Sequence, residues 1–251
     1  MRAANSESGI KEREEIKRLR EKSHSLQGFF SLLYHPGERI YLYAIWNNRG
    51  HIGEGLMLPR PRNGFIASAK LGSQRFHLAV RKADKYNRNG YDIFSTPNPL
   101  SHSRRMQLTV GEIRYLVIEA DHIPLERQRT FLEMIKDKIR VAVFTGHRSI
   151  HCYLPLEPPI PNNGYIQPRD WKRALTYNPR IDPGVENPEF ESKLKDVKKF
   201  LRSYDYPFCI HTLSNFATLT RTPFFKHQET QKEAQVIYVN NQQQKYSPEQ
   251  H

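Results

Sequence analysis

The stretch 112–121, EIRYLVIEAD, decides how the rest of the chain is read. Tyr115 to Ile118 is a continuous apolar run, as a strand covered on both faces requires. Glu119 and Asp121 follow it, two residues apart. Side chains alternate across a strand, so these carboxylates share one face at its C-terminal end. Carboxylates this close repel unless something positive lies between them. A hard divalent cation with oxygen ligands removes that cost. The plainer alternative is a pair of solvated acids, with Asp121 beginning a turn.

Downstream, Pro124 opens a helix whose inward face is Leu125, Leu132, Ile135 and Ile139. RVAVFT (140–145) and SIHCYL (149–154) read as strands separated by Gly146-His147-Arg148, a hairpin by its spacing. Ser149 and His151 then share one face, and Ile150 and Cys152 the other. With Arg148 in the turn, a guanidinium, a hydroxyl and an imidazole line one rim, a donor set suited to a triphosphate. A Pro/Asn-rich loop follows (155–168). A helix then runs from Pro188 to about Tyr204, with Asn187 as N-cap and Phe190, Leu194, Val197 and Leu201 inward. In RTPFFKHQET (221–230), Arg221, Lys226, His227 and Thr230 offer anion-binding or donor groups around Pro223, which fixes the backbone. A last strand lies near Val236 to Val239, before a polar tail.

Upstream, KEREEIKRLREK reads as an exposed helix with sparse apolar points, either a solvated extension or a nucleic-acid arm. Leu26 to Tyr34 is apolar, RIYLYAIW (39–46) is β-prone, and Phe76, Val80, Ala83 and Tyr86 have helical spacing. Asn89-Gly90 breaks that helix ahead of the strand YDIFS (91–95). Between Gly55 and Gly111 the chain is strongly basic. Arg60, Arg62, Lys82, Lys85, Arg104 and Arg105 are the candidates for tracking nucleic-acid phosphates.

The whole chain of 251 residues carries 39 Lys and Arg against 26 Asp and Glu, a formal charge of +13, which favours a polyanionic partner, nucleic acid first. No apolar run approaches the roughly 20 residues needed to span a bilayer, and the N-terminus has no secretory h-region. Two cysteines cannot make a disulfide framework, so a soluble cytoplasmic protein without membrane association is expected. Zn²⁺ is not expected from His147, His151, Cys152, Cys209 and His211. Adjacent His151 and Cys152 point to opposite faces of a strand and cannot reach one tetrahedral ion together.

An acid pair on a strand, Ser-x-His on a later hairpin strand, and Arg-x-Pro with a nearby His: this order resembles the archaeo-eukaryotic primase (AEP) superfamily, of the primase-polymerase and plasmid replication primase type. Its Asp-x-Asp or Asp-x-Glu motif is matched by Glu119-Ala120-Asp121, its small-x-His motif by Ser149-Ile150-His151, and its later segment by Arg221-Thr222-Pro223, His227 and Thr230. The resemblance spans Gly90 to Val239, roughly three fifths of the chain. It departs at the first acid, here Glu119, and at the third motif, where the acid position reads His211. Either His211 is the third ligand, or Asp205 supplies it, or the site is degenerate.

The resemblance implies an α+β fold: an RRM-like antiparallel palm over 111–240, joined to a basic α/β unit over 31–110 as one catalytic domain. An N-terminal helical extension (1–30) and a polar tail (241–251) flank it. It implies a DNA primase/polymerase that joins nucleotides on a single-stranded DNA template for a plasmid, phage, other mobile element or defence-linked system, with or without a helicase. Glu119, Asp121 and His211 would hold two Mg²⁺ or Mn²⁺ ions, with Glu119, Asp121 and His151 as the catalytic set. Arg148, Ser149, His151, Arg221, Lys226 and His227 would bind the (d)NTP. A degenerate primase-like binding domain and a metal-dependent nuclease are the alternatives.

Overall fold

The structure is a computed structural model that describes residues 7–46, 64–101, 109–162, 188–204, 209–210 and 218–241. Its elements run α1 (Glu7–Ser31), β1 (Arg39–Trp46), β2 (Gly64–Lys70), α2 (Phe76–Arg88), β3 (Tyr91–Ser95), β4 (Glu112–Glu119) and α3 (Leu125–Ile135). They continue through β5 (Val141–Phe144), β6 (Ile150–Pro161), α4 (Pro188–Arg202), β7 (Cys209–Ile210), β8 (Thr220–Arg221) and β9 (Gln235–Val239). The fold is α+β, with two sheets in which every described pairing is antiparallel.

The central stretch builds the larger sheet. Elements β4-α3-β5-β6-α4-β7 follow a βαββαβ order, and the sheet runs β7-β4-β6-β5-β9. This is the strand order of an RRM-like palm with β9 added at one edge. Leu116, Ile118, Ile150, Cys152 and Leu154 cluster with Leu132 and Ile135 of α3 and with Phe190 and Leu194 of α4. The alternate residues Val117, Val141, Val143 and Tyr153 join a second cluster with α1, α2 and the smaller sheet. Both palm faces are thereby buried, which explains the unbroken apolar run in β4.

The smaller sheet runs β2-β1-β3-β8. Ile40, Leu42, Ala44 and Ile93 bury against Val80 and Ala83 of α2 and Leu26 and Phe30 of α1. The two units are stitched together by specific bonds. Tyr115 Oη donates to the Leu32 carbonyl at 2.9 Å, Arg114 grips Glu38 through two bonds of 2.7 and 2.8 Å, and Tyr153 Oη donates to Thr220 Oγ1 at 2.9 Å. Fully buried Asn98 accepts from the backbone N–H groups of Arg114 and Tyr115, at 2.8 and 2.9 Å, where the β4–β6 register shifts.

Four differences from the sequence reading have physical causes. Strand β4 ends at Glu119, so Asp121 lies in the following turn. Strand β6 continues through a stretch that its prolines suggested was loop, pairing with β4 across the register shift, where proline is tolerated. The second half of α1 is core, with Leu26 and Phe30 fully buried, so a boundary at residue 30 cuts through packed structure. Strand β8 leaves the palm and pairs with β3 of the smaller sheet.

Helix α1 is anchored by charge as well. Asp84 of α2 is 1% exposed and meets Arg18 at 2.6 Å, Lys22 at 2.8 Å and Arg88 at 3.1 Å. Burial alone would raise its pKa, but the bonds from Arg18 and Lys22 outweigh it and hold the carboxyl below its ordinary value. A depressed carboxyl pKa adds stability that is complete above the unfolded value near 3.9 and fades as pH falls below it. Asp84→Ala should therefore cost about 2 kcal/mol, less than the roughly 3–5 kcal/mol of a fully buried pair because Arg18 and Arg88 reach solvent. Urea unfolding at pH 7 should show the midpoint lowered by roughly 1 M with an unchanged slope, and the gap to wild type should narrow below pH 4.

Candidate active site

The site is built where β4 ends beside the entry to β6. Ile118 pairs with Cys152, which puts Glu119 next to His151 on the neighbouring strand. His151 Nε2 lies 2.9 Å from Glu119 Oε2, and the two side chains are 7% and 13% exposed. One turn further, Asp121 Oδ2 is 3.3 Å from an Arg148 guanidinium nitrogen, and its Oδ1 is 3.7 Å from His122 Nδ1. Both carboxylates thus lie against the 148–151 stretch, the deeper one facing an imidazole and the outer one a solvated guanidinium.

Cys152, one residue from His151, is buried in the palm core on the opposite face. Burial pushes its thiol pKa up to about 12, so it stays a protonated small hydrophobe at neutral pH. Lys82 and Lys85 are exposed on α2, and no described contact links them to the acids. Arg60, Arg62, Arg104, Arg105, His211 and Asp205 lie outside the described residues.

The remaining candidates divide by burial. Arg148 and Lys226 are exposed, whereas Ser149, Arg221 and His227 are buried. The Ser149 hydroxyl is 3.2 Å from that of Thr145. Arg221 pairs with Asp92 of β3 at 2.5 Å, both side chains under 10% exposed, and its guanidinium sits 4.6 Å above the Phe94 ring. Burial raises the Asp92 pKa, but Arg221, helped by the Gln228 N–H, more than reverses that and keeps the carboxyl ionised. The His227 ring lies 4.8 Å from that of His147.

Residues outside the sequence candidates hold these groups in place. Gln128 of α3 donates to the carbonyls of Ile123 and Arg148, at 2.9 and 2.7 Å, and accepts from the Ile150 N–H at 2.9 Å. One buried amide therefore ties the turn after Asp121 to the segment bearing Arg148 and Ser149. The sequence signal was a polar residue on the inward stripe of α3, between Leu125 and Leu132. Asn87 of α2 likewise bonds both the N–H and the carbonyl of Lys226, at 2.9 and 2.8 Å. Asp92 was legible as an acid inside an apolar strand, Asp92-Ile93-Phe94, that is similar to plasmid-type AEP members, but its Arg221 partner was not.

No family model and no curated protein matches the chain. Among solved structures, the chain is similar to the AEP domain of the cyanophage S-2L primase-polymerase. The TM-score is 0.50 at 14% identity, over 84% of this chain and 87% of that one. The fold is AEP-like. The likeness extends beyond the three fifths covered by the motifs and includes most of the basic N-terminal half. No helix among the described residues is long and apolar enough to cross a membrane.

Proposed function

We propose that this protein is a template-dependent nucleotidyltransferase, a DNA primase-polymerase. The observation that carries the proposal is the contact of Glu119 and His151 at the end of an RRM-like palm strand, with Asp121 and Arg148 beside it. The donor chemistry suits a hard divalent cation. Asp121 is 40% exposed, and its contacts of 3.3 and 3.7 Å are longer than a strong charge-assisted bond, so its oxygens are available to an ion.

Glu119 and Asp121 would hold Mg²⁺ or Mn²⁺, with His211 as the candidate third ligand. Such ions neutralise phosphate charge and lower the pKa of the attacking 3′-hydroxyl. The protein's own groups position the reactants. Exposed Arg148 and Lys226 bring positive charge to the triphosphate, and His151 shifts from Glu119 to donate to a phosphate oxygen. Ser149 and Thr145 shape the strand entry. Buried Arg221 and His227 serve the site by fixing the loop that carries Lys226. Positioning and charge stabilisation are what in-line phosphoryl transfer asks of a protein. Single-stranded DNA is the proposed template, bound through the basic half with steep salt dependence. Service to a mobile element, alone or with a helicase, belongs to the same proposal.

Incubation with labelled nucleotides, a single-stranded DNA template and Mn²⁺ separates the readings. New template-length-dependent oligonucleotides are expected. Template binding without synthesis would point to a degenerate binding domain, and shortened template to a nuclease.

A further inference from the structure

The tip of the β5–β6 hairpin is pinned to the 227–234 loop. Thr230 Oγ1 donates to the Gly146 carbonyl, and the loop is closed on itself by the His227 N–H, which donates to the Lys232 carbonyl at 2.8 Å. Gly146 has φ +84°, and a Cβ there would meet the Lys232 carbonyl oxygen at 2.7 Å. The approach is therefore closer than any other residue allows. This packing brings the His147 ring beside the His227 ring, tilted at 39° with centroids 4.8 Å apart, and it brings in Glu229. One donor atom from each of the three residues lies within 4.8 Å of the other two.

We propose that His147, His227 and Glu229 form a binding site for a transition-metal dication of the Zn²⁺ class, separate from the acid pair. Two imidazoles and one carboxylate are a donor set such ions favour over Mg²⁺. At metal–ligand distances of about 2.0–2.1 Å, tetrahedral donors stand about 3.4 Å apart. Half-buried His147 and exposed Glu229 have room to close that gap. His227 is 7% exposed, and its Nδ1 is buried with no hydrogen-bond partner among the described residues. A buried ring nitrogen left this way is costly unless something occupies it.

The bound ion bolts the hairpin bearing Arg148, Ser149 and His151 to the loop bearing Lys226. The site differs from the zinc set weighed in the sequence, which lacked His227 and Glu229. The signal missed was that residues 80 positions apart meet only when the loop between β8 and β9 packs against the hairpin tip.

Tag-free, metal-stripped full chain should be titrated with Co²⁺ as the spectroscopic probe and melted with and without Zn²⁺. One equivalent of Co²⁺ should give the intense visible absorption of a tetrahedral site, and Zn²⁺ at 100 times its Kd should raise Tm by about 5–11 °C. His147→Ala should abolish the absorption, and Glu229→Gln should weaken Co²⁺ binding by at least about 10-fold, since even outer-shell changes cost about 10–100-fold. Asp121→Ala should leave it intact. Absence of the absorption, its survival in His147→Ala, or its loss in Asp121→Ala overturns the proposal. None of these results bears on nucleotide joining, so failure here is distinguishable from failure of the polymerase reading.

Discussion

Asp121→Ala should reduce template-dependent nucleotide joining by at least about 10³-fold while leaving affinity for single-stranded DNA within about twofold. On the proposed function, the first figure follows from removing a carboxylate that would help hold the reaction's dications, worth several kcal/mol of transition-state stabilisation at 1.36 kcal/mol per factor of ten. The second follows because template affinity would come from phosphate contacts of basic residues, not from the acids. Asp121 is 40% exposed in a turn and makes two long side-chain ion pairs among the described residues, so its loss should leave the melting temperature nearly unchanged. Primer extension and dinucleotide synthesis with Mn²⁺, beside a DNA-binding titration on the same preparation, check both parts. Undiminished synthesis would remove Asp121 from the metal site. His151→Ala belongs in the same series, and it should raise the nucleotide KM or slow the reaction.

The largest loss of stability is expected at Arg221 and Asp92. Both are buried, at 7% and 4% exposure, and each is the other's closest charged partner. Arg221→Ala leaves a carboxylate in the core, and Asp92→Ala leaves a guanidinium. Breaking a buried pair from one side costs about 3–5 kcal/mol, a large part of the 5–15 kcal/mol that holds a domain together. A drop in Tm of about 6–20 °C should follow for either variant. The double variant Asp92→Leu/Arg221→Met should recover much of it, because well-packed apolar residues replace such pairs at little cost. If Arg221→Ala melts like wild type but loses nucleotide affinity, its guanidinium contacts substrate rather than Asp92. Thermal melts and nucleotide titrations across these variants decide between the two roles.

Local pattern alone was enough for much of this protein. The apolar run before Glu119 located the central palm strand, and the spacing of 140–154 located the hairpin. The periodicities of 76–86 and 188–204 located α2 and α4, which begin at Phe76 and Pro188. These signals are legible because an element buried on one or both faces must repeat apolar residues at its own period. The order of the acid pair, Ser-x-His and Arg-x-Pro pointed to the AEP-like fold before any coordinates. Only the tertiary structure could show what the charged and polar groups face. Asp92 and Arg221 are 129 positions apart, Asp84 and Arg18 are 66 apart, and Gln128 reaches across to Arg148 and Ile150. A polar side chain's partner is set by which elements pack together, not by its neighbours in sequence. For that reason Arg221 and His227, two more donors in a basic loop when read along the chain, turn out to be buried, the one against Asp92 and the other beside His147.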